Sequence, residues 1–141
     1  MIITKENLEN IKRYILAGKS RFFIVKEGKK YEYKMIKFVN KSGHVYYKVS
    51  LYWNNKWYHL FIFWPEDIEI TNKSNQFGYA QNYLWILLFD VCRPQHVNAL
   101  SPMEFIPSKT CPVCGRPLRK MSSLKEGIGP YCKERLYGVK K

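Results

Sequence analysis

The chain has 141 residues, 46% of them hydrophobic and 16% aromatic, which is enough to fill the core of one domain and too apolar for a disordered segment. No apolar run reaches the roughly 20 residues that span a bilayer. With no secretory signal and only four cysteines, this predicts a soluble protein of a reducing, cytoplasmic compartment.

The net charge of +13 is unevenly spread. Residues 1–56 carry 13 Lys/Arg and 4 Asp/Glu, residues 57–107 carry 2 and 5, and residues 108–141 carry 9 and 2. Both ends are basic and the middle is slightly acidic. If the ends meet, they make one positive face that attracts polyanions, although the same lysines also suit a surface that is merely solvated.

Taken in order, Thr4 can cap a helix running to Gly18, with Leu8, Ile11 and Ile15 on one face. Four strand-like runs follow: Arg21–Lys26, Tyr31–Val39, His44–Trp53 and Trp57–Trp64. They are separated by Glu27-Gly28-Lys29-Lys30, Asn40-Lys41-Ser42-Gly43 and Asn54-Asn55-Lys56, all turn-forming segments. In the third run Val45, Tyr47, Val49, Leu51 and Trp53 share one face, while Tyr46, Lys48, Ser50 and Tyr52 share the other. That second face, beside Lys34 and Lys37, interleaves rings and cations. Such a surface can stack single-stranded bases, or it can simply cover a core. The fourth run is apolar on both faces and is expected to be central or covered by a helix. Residues 65–76 read as a loop in which Ser74 or Asn75 caps the next helix, Phe77–Cys92. Arg93–Ser108, with Pro94, Pro102 and Pro107, reads as an irregular linker.

The last third carries the most specific pattern. Cys111-Pro112-Val113-Cys114-Gly115 has the spacing of a metal knuckle, in which a tight turn aims two sulfurs at one ion and glycine supplies a left-handed backbone. Gly129-Pro130 looks like a helix start, which places Cys132 in a first helical turn where the dipole favours its thiolate. These three cysteines predict a zinc site in a treble-clef-like unit. A local fourth ligand is missing, since Gly129 and Arg135 occupy the positions three residues either side of Cys132. Cys92 is the favoured candidate, with His96, His44 and His59 as alternatives. A lone Cys92 also fits a buried small hydrophobe.

The run Cys111-x-x-Cys114-Gly115-Arg116-x-Leu118, then Ser122 or Ser123, then Gly127-x-Gly129-Pro130-x-Cys132, resembles the C-terminal signature of small phage and prophage proteins of unknown function. The resemblance covers about 30 residues. It implies a mobile-element origin and a zinc knuckle, and it supplies no activity. Many of those proteins carry a histidine four residues before the first knuckle cysteine, where this chain has Pro107. A shorter stretch, Leu124-x-x-Gly127-Ile128-Gly129-Pro130, is similar to the hairpin of helix-hairpin-helix DNA-binding elements, in which glycine amides hold a phosphate.

No phosphate-binding glycine loop, nucleophile elbow or paired acid and base occurs, and a zinc ion closed by cysteines is structural. The expectation is therefore a non-enzymatic α+β protein. Residues 1–107 form an antiparallel meander of about four strands packed with an N-terminal and a central helix, and residues 108–141 form the zinc unit. Arg116, Arg119, Lys120, Lys125, Lys133 and Arg135 would contact the phosphates of DNA or RNA. The alternative is a phage anti-defence or host-takeover inhibitor, for example an anti-CRISPR protein, that docks on a host protein or nucleoprotein complex.

Overall fold

The computed structural model describes residues 2–93 and 103–117. The architecture is α+β: two helices on one side of a six-stranded antiparallel sheet. In chain order the elements are α1 (Leu8–Ile15), β1 (Lys19–Lys26), β2 (Lys29–Val39), β3 (Val45–Trp53), β4 (Lys56–Trp64), β5 (Glu69–Thr71), α2 (Gly78–Cys92) and β6 (Glu104–Pro107). The sheet order is β5-β4-β3-β2-β1-β6.

The five-strand meander follows from its turns. Glu27 and Gly28 both take positive φ (53° and 76°), as do Asn54 and Asn55 (52° and 65°). Each pair therefore makes a two-residue turn whose twist matches that of the strands it joins. Between β2 and β3 the Asn40 side-chain oxygen accepts from the amides of Ser42 and His44, holding a longer loop.

The sheet has six strands rather than about four. The segment expected to be a loop contains β5, which pairs Ile62 with Thr71 and Trp64 with Glu69. The segment expected to be a linker contains β6, which returns to pair Phe23 with Ile106 along the outer edge of β1. Ile2 bridges to Glu104, and the Ile3 amide donates to the Met103 carbonyl at 2.8 Å, so the N-terminus lines that same edge.

One face of the sheet is the core. Phe22, Ile24, Tyr33, Met35, Val49, Leu51, Phe61 and Phe63 are all fully buried beneath the helices. Tyr33 donates its hydroxyl to the Ala80 carbonyl of α2 at 2.7 Å, and Tyr47 donates to the Leu16 carbonyl at the end of α1 at 2.7 Å. Phe105 of β6 joins this core, edge-on to Tyr14 of α1 and 5.3 Å from the Phe22 ring.

Both helices start later than the sequence suggests. The Thr4 amide donates to the Asn7 side-chain oxygen, which forms a turn before the helix opens at Leu8. Ser74 accepts from the Gln76 amide in another such turn, and α2 begins at Gly78. At its far end α1 stops before Gly18 (φ +134°), and Ser20 donates its hydroxyl to the Ile15 carbonyl, satisfying a group that the helix end leaves open.

Candidate functional site

The sheet face opposite the helices interleaves rings and cations. Its side chains fall into rows set by strand register. One row runs Phe23, Glu32, Tyr52, Trp57, and the next runs Arg21, Lys34, Ser50, His59. A third runs Ile36, Lys48, Ile62, and the last holds Phe38 opposite Tyr46, with Trp64 beside them. Aromatic rows thus bracket cationic ones. Six residues separate Tyr46 from Tyr52 on β3, or about 20 Å along the strand.

The rings and cations touch. Tyr52 and Trp57 lie 5.0 Å apart between centroids, and Lys34 Nζ and the Arg21 guanidinium stand 4.4 and 5.1 Å from the Trp57 centroid. Phe38 stacks on Tyr46 at 5.6 Å, Tyr46 meets Trp64 at 5.0 Å, and Lys48 Nζ sits 4.9 Å from Phe38. Arg21 is held by an ion pair with Glu32 at 2.9 Å. Burial and the neighbouring Arg21 guanidinium lower the pKa of Lys34.

Among the described residues no helix covers this face, so the doubly apolar look of β4 has another origin. The register slips between Val49 and Ser50, and this bulge lets adjacent Leu60 and Phe61 both point into the core. Trp57, Ile62 and Trp64 then remain on the open side. Lys37 does not belong with Lys34, because three residues along a strand is an odd step and puts it on the helix side, opposite Tyr47. Sequence reading missed Arg21 and Trp57. Arg21 and Trp57 reach this face only through strand pairing, Arg21 opposite Lys34 and Trp57 opposite Tyr52, which no local pattern in the sequence announces.

A groove of about 470 Å³ opens where this face meets β6, lined by Arg21, Phe23, Lys30, Ser108, Lys109 and Thr110 among others. The Arg21 Nε inside it is buried with no hydrogen-bond partner. Past Thr110 the chain enters the cysteine turn. The Gly115 amide donates to the Cys111 carbonyl at 2.8 Å, the Cys111 amide donates to the Arg116 carbonyl at 2.9 Å, and Thr110 bridges to Pro117. Gly115 has φ +76°, a left-handed backbone that favours glycine. This turn is buttoned to the α1–β1 connector: the Lys19 amide donates to the Pro112 carbonyl at 2.8 Å.

Of the metal-ligand candidates, Cys111 is buried and Cys114 half-buried in this turn. Cys92 is half-buried at the end of α2, where burial pushes its thiol pKa up and Lys12 pulls it down. Burial, and secondly the neighbouring Cys92, push Tyr47 up to about 12. Since Tyr47 binds Leu16 and Pro112 binds Lys19, both neighbourhoods reach the same connector. Among the described residues, however, no three of His, Cys, Asp or Glu gather around one point. His59 is engaged with the Asn72 carbonyl at 2.7 Å, on a strand four places from β6 in the sheet. His44 is exposed in the β2–β3 loop. Arg116 is exposed beside the cysteine turn. Cys132, His96, Arg119, Lys120, Lys125, Lys133, Arg135 and the hairpin-like stretch lie outside the described residues.

Fold and site together define a class: an antiparallel sheet sealed by helices on one side, with cations and rings on the other, and a cysteine turn at its β6 edge. A model for a family of unknown function (DUF6011) matches residues 102–137, about a quarter of the chain, which includes that turn. No curated protein and no solved structure matches the chain. No helix among the described residues is long and apolar enough to cross a membrane.

Proposed function

We propose that this protein binds nucleic acid without catalysing a reaction, and that its C-terminal part is folded around a zinc ion. The observation that carries the binding half is the sheet face that no helix among the described residues covers, where Arg21, Lys34 and Lys48 sit among half-exposed rings. Cations attract phosphates, and rings offer bases a flat apolar partner. The basic side chains Arg116, Arg119, Lys120, Lys125, Lys133 and Arg135 would add phosphate contacts, with arginine forks suited to bidentate pairing.

The zinc half rests on the cysteine turn. Two thiols two residues apart, on a turn closed by the Gly115–Cys111 bond, form a donor pair suited to zinc. Cys132 would supply a third sulfur and Cys92 is the proposed fourth. Such a site is structural, holding basic residues distant in sequence on one rigid support.

Metal analysis and a salt titration test the two halves. One zinc per chain is expected, lost on Cys111→Ser or Cys114→Ser. Affinity for an oligonucleotide is expected to fall at least tenfold between about 50 and about 200 mM salt, as counterion release dictates. A metal-free protein overturns the zinc half, and an absence of oligonucleotide binding at about 50 mM salt overturns the other.

A further inference from the structure

We infer that the open sheet face selects an unpaired nucleic-acid strand. Bases stack at two stations, Trp57 with Tyr52 at one end and Phe38 with Tyr46 and Trp64 at the other, while the phosphates follow the lysines between them. This rests on the nucleic-acid reading above and specifies its substrate.

Three observations carry it. The first is exposure: Phe38 and Tyr52 remain 38% and 37% exposed, so these rings are not spent on the core, and each lies at one of the two stations. The second is the pairing of rings with cations. Lys34 and Lys48 rest on Trp57 and Phe38, one lysine at each station. A base arriving on either ring displaces a flexible ammonium toward the phosphate that arrives with it, so stacking and charge pairing are made in one movement. Against these cations the rows hold one carboxylate, Glu32, already paired with Arg21. Glu66, Asp67 and Glu69 cluster instead beside Trp64 at the β5 corner, where they repel phosphate and mark where the strand's path ends.

The third is the groove at the opposite edge. It is lined by Lys30 and Lys109 and by the hydroxyls of Ser108 and Thr110, which are donors of the kind a phosphate takes, while its one carboxylate, Glu32, is held in the ion pair with Arg21. The groove runs from Arg21, which rests over Trp57, to Thr110 at the start of the cysteine turn, so it offers a strand leaving the sheet a path with cations on it.

A duplex fits this surface poorly. Its phosphates can reach the cations, but its bases are already stacked and paired, and their faces cannot meet the rings. Selectivity for the unpaired strand therefore comes from the rings and not from the charge.

The test is fluorescence anisotropy with labelled oligo-dT and oligo-rU of about a dozen nucleotides, and with a duplex of the same length. It compares the full chain with Trp57→Ala, Trp57→Phe and Tyr46→Ala, each shown to be folded by its thermal melt. Each alanine change is expected to weaken binding of whichever single strand binds more tightly by roughly fivefold to a hundredfold and to leave duplex binding nearly unchanged, while Trp57→Phe, which keeps a ring at its station, is expected to retain most of the affinity that Trp57→Ala loses. If Trp57→Ala binds single strands as wild type does, or loses single strand and duplex equally, the inference fails while the nucleic-acid reading stands. If no oligonucleotide binds at low salt, that reading fails and takes the inference with it; a protein partner would then be the occupant of this face.

Discussion

The two faces of the sheet use the same kind of residue in opposite ways. On the helix side aromatic rings are sealed, and their polar atoms serve the fold: Tyr33 and Tyr47 are buried, and their hydroxyls bond helix carbonyls. On the other side Phe38, Tyr46, Tyr52 and Trp57 keep part of their surface in water, and their neighbours are lysines and an arginine. Composition alone does not separate these roles. Strand parity does, because a one-residue step moves a ring from core to surface.

The contrast can be broken most forcefully on the sealed side. Phe61→Ala removes a fully buried ring from the centre of the core and is expected to cost about 3–5 kcal/mol in chemical denaturation. Tyr46→Ala on the open side is expected to cost well under half of that. Equal losses for the two would show that the open face is part of the core after all.

A smaller effect is expected from Tyr47→Phe, which keeps the ring and removes the hydroxyl that satisfies the Leu16 carbonyl. The expected cost is about 1–2 kcal/mol. Because Tyr47 titrates only near 12, the difference should be constant across neutral pH.

The subtlest expected change is a gain. Asp90 is buried on α2, and burial raises its carboxyl pKa. A folded-state pKa above the unfolded one gives stability that is present at low pH and lost as pH rises through the folded value. Asp90→Asn is therefore expected to raise Tm at pH 7, by an amount that shrinks as the pH falls through the raised folded value and is gone once it is below the usual carboxylate range. A Tm difference that stays flat or grows on acidification would contradict this.

Much of the meander was legible in the chain, because period-two alternation and the Glu27-Gly28 and Asn54-Asn55 pairs are local signals. The two edge strands were not. Glu69-Ile70-Thr71 and Glu104-Phe105-Ile106-Pro107 are three and four residues long, and β6 finds its partner some eighty residues earlier. No local pattern announces such a pairing. The bulge opposite Val49 and Ser50 hid the parity of β4, which is why Trp57–Trp64 read as apolar on both faces and in need of a covering helix. In the cysteine turn, by contrast, Gly115 adopts the backbone its position demanded, since that requirement is set within five residues. The ring-and-cation face was half visible: Tyr46, Tyr52, Lys48 and Lys34 stand together as their spacing implies, whereas Arg21 and Trp57 joined them only through strand order.

The return of the chain to lay Glu104–Pro107 along Phe22–Val25 also protects the molecule from itself. Both flanks of the sheet end in short segments, and Ile2 fastens one of them further, so little unsatisfied backbone is offered to another copy. Cutting the chain after Arg93 would strip that hem and bare an eight-residue ladder next to Phe22 and Ile24. The carboxy-terminal third therefore acts as a guard against self-adhesion as well as a carrier of basic residues, and shortened versions of the protein are expected to clump before they lose their helices.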